Sequence, residues 1–88
     1  MKVEFLEQFL KDIRKIKDPI LKEKVAGIII DFENSHSLSG TSDIKKLKGW
    51  KNAYRIRLGD YRIGFFHEKG TVVFARIVHR KDIYRIFP

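Results

Sequence analysis

The stretch Ala53–Tyr84, AYRIRLGDYRIGFFHEKGTVVFARIVHRKDIY, decides the fold, because it reads as three strands joined by two tight turns. Gly59 and Asp60 stand between two runs of alternating apolar and basic residues. This pattern is typical of a two-residue hairpin turn with glycine at positive φ. Counting outward from the turn predicts that Leu58 pairs with Tyr61, and each residue before Leu58 with the corresponding residue after Tyr61.

The second turn, Glu68-Lys69-Gly70, suits a three-residue loop with its glycine in the left-handed conformation. This loop predicts that Phe65 pairs with Val73. On the same count, Arg62 lies opposite Arg76.

These pairings sort the stretch into two surfaces, because side chains alternate between the faces of a strand. The apolar surface is expected to hold Tyr54, Ile56, Leu58, Tyr61, Ile63, Phe65, Ala75 and Ile77. The opposite surface is expected to hold five arginines, Arg55, Arg57, Arg62, Arg76 and Arg80. Like charges opposite each other in a sheet cost roughly 0.2–1 kcal/mol per pair. No carboxylate of these strands falls on the same surface to offset that cost.

The arginine surface has two interpretations. In the first, it is the solvated face of an amphipathic sheet. In the second, it binds a polyanion, since its charges share one sign and small or aromatic residues, Gly64, Phe66 and Phe74, interrupt them. Such a surface suits a single-stranded nucleic acid, whose bases lie on the aromatic side chains.

Charge is unevenly distributed along the chain. Residues 1–44 hold seven Lys or Arg and eight Asp or Glu, a net of −1, whereas residues 45–88 hold twelve against three, a net of +9. The cationic strand half points to a nucleic acid or an acidic protein as partner. A membrane surface fits less well, because the charge lies on strands rather than on an amphipathic basic helix.

The 88 residues suit a single domain, 1–88. Cysteine is absent, and His36, His67 and His79 lack the spacing of metal ligands. We therefore expect no metal and no cofactor. Acids interrupt the apolar start, MKVEFLEQFL, so it is neither a signal peptide nor a membrane span, and we expect a cytoplasmic protein.

The first half of the chain predicts a short strand followed by two helices. Apolar and charged residues alternate over 1–5, and the apolar spacing becomes helical over 6–16. Asp18 and Pro19 signal the start of a second helix over 19–33. The predicted fold class is α+β: a small antiparallel β-sheet, made of the short N-terminal strand and three C-terminal strands, with an N-terminal α-helical hairpin packed on one face.

The connection between the two halves is polar and then basic. Residues 34–43, NSHSLSGTSD, predict a surface loop. In the following segment, 44–50, Leu47 is expected to be buried, and Trp50 either packs over the sheet edge, which we favour, or stacks on a base. The exposed residues of this segment are Lys45, Lys46 and Lys48.

Two pieces of the chain, KLKGWKNAYRIRLGDYRIGFF (46–66) and VVFARIVHRKDIYR (72–85), carry a family resemblance. With the preceding strand and helical hairpin, they resemble the RelE side of the RelE/ParE superfamily of toxin-antitoxin toxins over essentially the whole chain. The resemblance implies a small antiparallel sheet with two helices on one face. It also implies ribosome-dependent cleavage of messenger RNA in the A site, which inhibits translation.

The functional positions of the family carry over residue by residue. Its basic residues around the hairpin turn fall on Arg55, Arg57 and Arg62, the one at the end of the last strand on Arg80, and its C-terminal tyrosine on Tyr84. The chain departs from the family in two respects. Well-studied members have lysines at the first two positions, and the spacing from the strand-end arginine to the tyrosine is shorter here.

The resemblance implies a metal-independent endoribonuclease in which the 2′-hydroxyl of the RNA attacks the adjacent phosphate. The reaction needs a base, stabilisation of charge on the phosphorane oxygens, and an acid. Arginine stays protonated and suits only the second task. Histidine titrates near neutrality, but parity places His79 on the apolar surface, which favours a structural role. The expected catalytic residues are Arg57, Arg62 and Arg80, in electrostatic and orienting roles, and Tyr84, which stacks on the base or passes a proton.

The expected RNA-binding residues are Arg55, Lys45, Lys46, Lys48 and Arg76. The expected partners are the ribosome with its messenger RNA and a cognate antitoxin, a small and partly acidic protein that covers the arginine surface or a sheet edge. Two alternatives stay open: a ParE-like toxin that poisons gyrase without nuclease activity, and a basic RNA-binding module.

Overall fold

A computed structural model describes residues 1–38 and 43–88. The elements of these residues, in chain order, are β1 (Lys2–Phe5), α1 (Glu7–Lys15), α2 (Pro19–Asn34), β2 (Ile44–Lys46), β3 (Ala53–Leu58), β4 (Tyr61–Glu68), β5 (Thr71–His79) and α3 (Ile83–Ile86). The strands form one sheet in the order β1-β5-β4-β3-β2. The predicted α+β class and both predicted N-terminal helices are confirmed. Within the described ranges, no helix is long and apolar enough to cross a membrane.

The helices α1 and α2 cover one face of the sheet. The side chain of Asp18 accepts two backbone N–H groups from the first turn of α2, and Pro19 occupies the first helical position, as the sequence predicts. Phenylalanines fill the layer beneath the helices. Phe9 of α1 and Phe32 of α2 stand with ring centroids 5.4 Å and 5.7 Å from that of Phe74. This stacked apolar layer is the main core of the protein.

The β3–β4 hairpin has the predicted register. Gly59 takes a φ of 60°, Leu58 pairs with Tyr61, and Arg57 lies directly opposite Arg62. Because side chains alternate along each strand, this register fixes which residues face the helices. The apolar set predicted from this hairpin packs in or against the main core; it comprises Tyr54, Ile56, Leu58, Tyr61, Ile63 and Phe65.

The β4–β5 hairpin has a different turn from the predicted one. Lys69 adopts a positive φ of 48° beside Gly70 at 78°, so the turn has two residues and Glu68 pairs with Thr71. Further along, the register shifts at an irregularity between Gly64 and Phe65. Such a bulge places an extra residue in one strand and redirects the side chains beyond it.

The shorter turn and the bulge overturn several predicted positions. Arg76 pairs with Gly64 rather than with Arg62. Phe74, predicted on the arginine surface, belongs to the main core, and Ala75, predicted on the apolar surface, lies in a second apolar cluster. Phe65 pairs with Phe74, and the predicted pair with Val73 is wrong.

The two edge strands differ from the expectation in detail. β1 joins the sheet as predicted, but it runs parallel to β5. β2 pairs antiparallel with β3, where the sequence indicates only a basic lead-in. This strand has three residues, two of them lysines, so it lacks the apolar alternation from which a strand can be predicted. In the predicted surface loop, residues 39–42 lie outside the described residues.

The C-terminal tail covers part of the sheet face that lies opposite α1 and α2. Its residues complete a second apolar group, which we call the tail cluster: Leu47, Ala53, Ala75, Ile83 and Phe87. The ring centroids of Phe66 and Phe87 are 5.1 Å apart, and a Cβ built on Gly64 would stand 2.5 Å from a ring carbon of Phe87. The sequence suggests Gly64 and Phe66 as a platform for bases, but in the structure both pack against Phe87 of the C-terminal tail.

Candidate nucleic-acid interface

Four of the five predicted arginines meet on the sheet face opposite α1 and α2. Arg55 and Arg57 lie on β3, Arg62 lies on β4, and Arg80 follows β5. We call these four residues the arginine cluster. The hairpin register sets two of them directly opposite each other, and the charges of three of them act on the fourth, Arg62.

Arg62 is the central cation of this cluster. Burial and the positive charges of Arg55, Arg57 and Arg80 lower its pKa below the ordinary value, whereas Tyr84 acts in the opposite direction. Its Nη1 donates to backbone carbonyl oxygens at the hairpin turn, at 2.7 Å and 2.8 Å. Within residues 1–38 and 43–88, it forms no ion pair with a carboxylate. A guanidinium remains protonated despite such a shift, so an anion placed here would relieve the repulsion.

Two carboxylates reach the margin of the arginine cluster from outside the strands. Asp43 Oδ1 accepts from Arg57 Nη2 at 3.2 Å, and Asp60 Oδ1 lies 4.0 Å from Arg80 Nε. Both ion pairs are largely exposed, so each is worth about 0–1 kcal/mol. The sequence expectation concerned carboxylates of the strands, and these two acids lie outside the strands. They pair with Arg57 and Arg80, whereas Arg62 has no such partner among the described residues.

Tyr84 of α3 stands beside the cluster, as the family resemblance implies. Its Oη accepts a hydrogen bond from Arg55 Nε at 3.1 Å, while Arg55 Nη1 donates to the Asp43 carbonyl at 3.0 Å. The side chain is well exposed, at 61%. A tyrosine that is oriented through its oxygen and open to solvent is available to a ligand lying on the cluster.

Arg76, the fifth predicted arginine, is held elsewhere. Its Nε and Nη2 donate to the two carboxylate oxygens of Asp12 in α1, at 2.8 Å and 3.2 Å, and the backbone N–H of Ile77 donates to the same carboxylate at 3.0 Å. Burial would raise the pKa of Asp12, but the hydrogen bonds from Arg76, Ile77 and Gln8 outweigh it and lower that pKa. The predicted place opposite Arg62 is wrong because the register pairs Arg76 with Gly64. A buried carboxylate 64 residues away in sequence neutralises this guanidinium.

His79 lies on the side of the sheet that faces the helices. It pairs with Tyr61 across the strands, and the two rings meet edge to face with centroids 6.0 Å apart. Its Nδ1 accepts the backbone N–H of Lys81 at 3.2 Å. These contacts agree with the structural role that parity favours.

The predicted lysines border a cleft next to the arginine cluster. Lys45, Lys46 and Lys48 line this cleft of about 350 Å³ together with Trp50 and Tyr84, and we call it the aromatic cleft. Sequence reasoning missed it because its walls come from two segments far apart in the chain. Trp50, favoured as a packing residue, has 51% of its surface exposed and lines the cleft.

Taken together, the arginine cluster and the aromatic cleft present cationic donors and aromatic faces side by side. The planar fork of each guanidinium matches the geometry of a phosphate. Among residues 1–38 and 43–88, no group of three or more His, Cys, Asp or Glu is arranged to hold a metal ion. The described surface is therefore suited to binding a phosphodiester and stabilising added negative charge on it.

Known proteins match this chain over nearly its whole length. Residues 3–84 match the family described as ParE toxin of type II toxin-antitoxin system, parDE. The chain is 46% identical over 89 residues to Toxin RelE3 of Methanocaldococcus jannaschii, covering 100% of both chains.

Solved structures share the fold. A chain of the RelB-RelE antitoxin-toxin complex from Methanococcus jannaschii matches with a TM-score of 0.83 and 41% identity, covering 97% of this chain and 99% of that one. The archaeal RelE-RelB complex from Pyrococcus horikoshii OT3 matches in fold with a TM-score of 0.75 and 20% identity, covering 93% and 97%. The family match and the full-length identity show that this chain belongs to the ParE toxin family of type II toxin-antitoxin systems, within the RelE/ParE superfamily.

Proposed function

We propose that this toxin is a metal-independent endoribonuclease that cleaves messenger RNA in the ribosomal A site and thereby inhibits translation. The observation that carries the proposal is the environment of Arg62. This cation is partly buried among three others and has no carboxylate partner in the described part of the chain. A phosphate that gains negative charge during transesterification supplies the missing anion.

In the proposed reaction, the 2′-oxygen attacks the adjacent phosphorus, and the bond from phosphorus to the 5′-oxygen breaks. The 2′-hydroxyl loses its proton and the departing 5′-oxygen gains one, so the products carry a 2′,3′-cyclic phosphate and a 5′-hydroxyl. Arg62 stabilises the phosphorane oxygens, and Arg57 and Arg80 orient the phosphate from either side. Because Tyr84 Oη accepts from Arg55, its own hydrogen is directed elsewhere and is available to the 5′-oxygen.

The same arrangement supports dependence on the ribosome. Arginines are poor bases, so the cluster lacks an efficient acceptor for the 2′-proton. Holding the RNA in a reactive conformation replaces part of that missing catalysis, because well-oriented reactants need far less activation entropy. We therefore place the activity on messenger RNA already bound in the A site, which locates the protein in the cytoplasm.

The proposed partner in the resting state is a cognate antitoxin, a small and partly acidic protein. Two observations support it: the related chain from Methanococcus jannaschii belongs to a RelB-RelE complex, and the cluster has fewer carboxylates than cations. An acidic segment that lies on the arginine cluster would exclude RNA from the same donors.

A second candidate function follows from the family match itself. The matching family is described by ParE toxins, and a ParE-like toxin would poison gyrase by binding, without RNA cleavage. The arginine cluster favours the nuclease, because poisoning by binding alone does not require cations to converge on one point of the surface.

The test uses the wild-type toxin on ribosomes that carry a defined messenger RNA with an empty A site, beside the same RNA free in solution. We expect cuts inside the A-site codon only on the ribosome, with the 2′,3′-cyclic phosphate and 5′-hydroxyl ends that attack by the 2′-oxygen leaves. Intact RNA under these conditions would contradict the proposal. If expression of the toxin instead produces gyrase-linked DNA breaks while transcripts stay whole, the second candidate function is correct.

A further inference from the structure

The aromatic cleft has two large aromatic walls that the main core does not use. Trp50 and Tyr84 have 51% and 61% of their surfaces exposed, although such side chains gain most from burial. Both rings border the same cleft of about 350 Å³. This volume lies at the lower end of the roughly 300–1,000 Å³ typical of small-molecule sites, so the cleft suits a single planar ring system.

Buried anchors hold both walls in place. Leu47, only 9% exposed, anchors the tight turn that ends at Trp50, and Gly49 in that turn takes the φ of 81° that a type II turn requires. On the other wall, Ile83 and Phe87 are 0% and 5% exposed and flank Tyr84 in the sequence. The cleft is therefore formed before any ligand arrives.

The chemistry of the rim identifies the class of ligand. Lys45, Lys46 and Lys48 line the cleft, and none of the described residues that line it is acidic. Aromatic faces beside uncompensated cations are the combination that binds unpaired bases and their phosphates. A purely apolar ligand would leave the lysines without partners.

The aromatic cleft is continuous with the arginine cluster. Tyr84 belongs to both, since it lines the cleft and its Oη accepts from Arg55 Nε at 3.1 Å. Lys45 on β2 pairs with Arg55 on β3, which extends the positive surface from one to the other. A single strand of RNA bound on the cluster would therefore reach the mouth of the cleft.

We propose that the aromatic cleft is a nucleobase-binding subsite that takes an unpaired base, stacked on Trp50, from the same RNA strand whose phosphate lies on the arginine cluster. The inference rests on the proposed function and adds to it a second point of contact outside the reacting phosphate. Its consequence is a second anchor for the strand: substrate affinity depends on the presence of a base next to the cleaved bond, and stacking accepts any of the four bases.

Intrinsic fluorescence tests this directly, because Trp50 is the single tryptophan of the chain. The probe is a short, uncleavable 2′-O-methyl oligoribonucleotide, compared with one of equal length that lacks the bases. We expect saturable quenching by the first and none by the second. Equal quenching by both, or binding of the first without quenching, would overturn the inference.

The affinity of variants for a labelled oligonucleotide, measured by fluorescence anisotropy, provides a second test. Stacking on one aromatic side chain is worth enough that Trp50→Ala should weaken binding about 5- to 150-fold. Trp50→Phe keeps a ring and should recover most of the affinity. Lys22→Ala, on the exposed side of α2, is the control and should change nothing. Unchanged binding by Trp50→Ala, with a wild-type melting curve, would contradict the subsite.

Two further comparisons distinguish the base-binding subsite from a site for an acidic peptide and from the proposed nuclease function. Polyglutamate that quenches Trp50 with the affinity of the oligonucleotide would show a site for an acidic peptide and overturn the base-binding claim. Cleavage that is lost in Arg62→Ala but unaffected in Trp50→Ala refutes only the subsite. Base-dependent quenching without any cleavage on the ribosome refutes the proposed function instead and leaves the subsite standing.

Discussion

Arg62 and Arg76 occupy neighbouring strands of one sheet and differ completely in their surroundings. Arg76 donates two hydrogen bonds to the buried carboxylate of Asp12. Arg62 is surrounded by other arginines and donates to backbone carbonyls. The contrast teaches that an arginine paired with a buried acid serves the fold, whereas one held among like charges without an acid is available to an anionic ligand.

The fold explains why Arg76 needs its carboxylate. β1 pairs with β5 only from Thr71 to Phe74, so the edge of β5 is uncovered beyond that point. Asp12 of α1 accepts the backbone N–H of Ile77 on this uncovered edge and binds Arg76 at the same time. One carboxylate therefore satisfies a backbone donor, neutralises a cation and fixes α1 to the sheet.

The largest predicted effect concerns Arg62, the arginine that is available to a ligand. Arg62→Ala should lower cleavage of ribosome-bound messenger RNA about 10²- to 10³-fold, because it removes the proposed donor to the phosphorane. The free energy of unfolding should stay within about 1 kcal/mol of wild type, since repulsion from Arg57 disappears with the lost hydrogen bonds. Rate measurements and urea denaturation on the same preparation check both parts.

The control for Arg62→Ala is Arg85→Ala. Arg85 is an exposed arginine of α3 that pairs with Asp82 at 2.8 Å and takes no part in the arginine cluster. We expect its cleavage rate to stay near the wild-type value. Equal loss of activity in both variants would mean that net charge, rather than the position of Arg62, determines cleavage.

The next largest effect concerns the buried ion pair between Asp12 and Arg76. Asp12→Asn leaves Arg76 partly buried without its counterion and should lower the free energy of unfolding by about 2–3 kcal/mol. Asp60→Asn, which disturbs only an exposed pair at 4.0 Å, is the matched control and should shift it by less than about 0.5 kcal/mol. If urea denaturation gives similar losses for both, the buried pair has no special structural role.

The lowered pKa of Asp12 predicts how this difference depends on pH. A carboxylate whose pKa is lower in the folded state contributes stability above its unfolded pKa, and that contribution is lost as pH falls through the folded pKa. The ordinary value is 3.8. The stability difference between wild type and Asp12→Asn should therefore be complete at neutral pH and shrink below about pH 4. A difference that stays constant into strong acid would refute this assignment.

The smallest effect concerns the tail that positions Tyr84. Gly64→Ala places a methyl group against the ring of Phe87, which must then move. We expect a loss of about 1–2 kcal/mol in stability and weaker cleavage as Tyr84 shifts with the tail. Gly27→Ala is the control, because its Cβ would meet nothing within 4 Å and alanine favours a helix. Wild-type cleavage by Gly64→Ala would show that the packing of Phe87 against Gly64 does not position Tyr84.

The same contrast shows what the sequence could predict. The β3–β4 register followed from one glycine turn, and it correctly placed Arg57 opposite Arg62. The β4–β5 register did not follow, because Lys69 took a positive φ that is uncommon for a residue with a side chain. The shorter turn placed Phe74 in the main core, and the bulge beyond it left Ala75 as the extra residue of β5, which nothing in the local pattern signals.

Long-range partners were the other limit. Asp12 is 64 residues from Arg76, and nothing in its local sequence marks it as the partner of a distant arginine. Phe87 fills the space over Gly64, although glycine and aromatic residues among arginines indicate a base platform equally well. Strand parity identifies residues that share a face, but it does not identify the distant segment that covers them.

The central claim is that Arg62 serves the ligand and Arg76 serves the fold. The most direct measurement compares Arg62→Ala and Arg76→Ala side by side, by urea denaturation and by cleavage of ribosome-bound messenger RNA per folded molecule. The account predicts a crossed result: Arg62→Ala stays stable and loses cleavage, while Arg76→Ala loses stability and its folded fraction still cleaves. Full cleavage by Arg62→Ala, or a stable Arg76→Ala that cannot cleave, would contradict it.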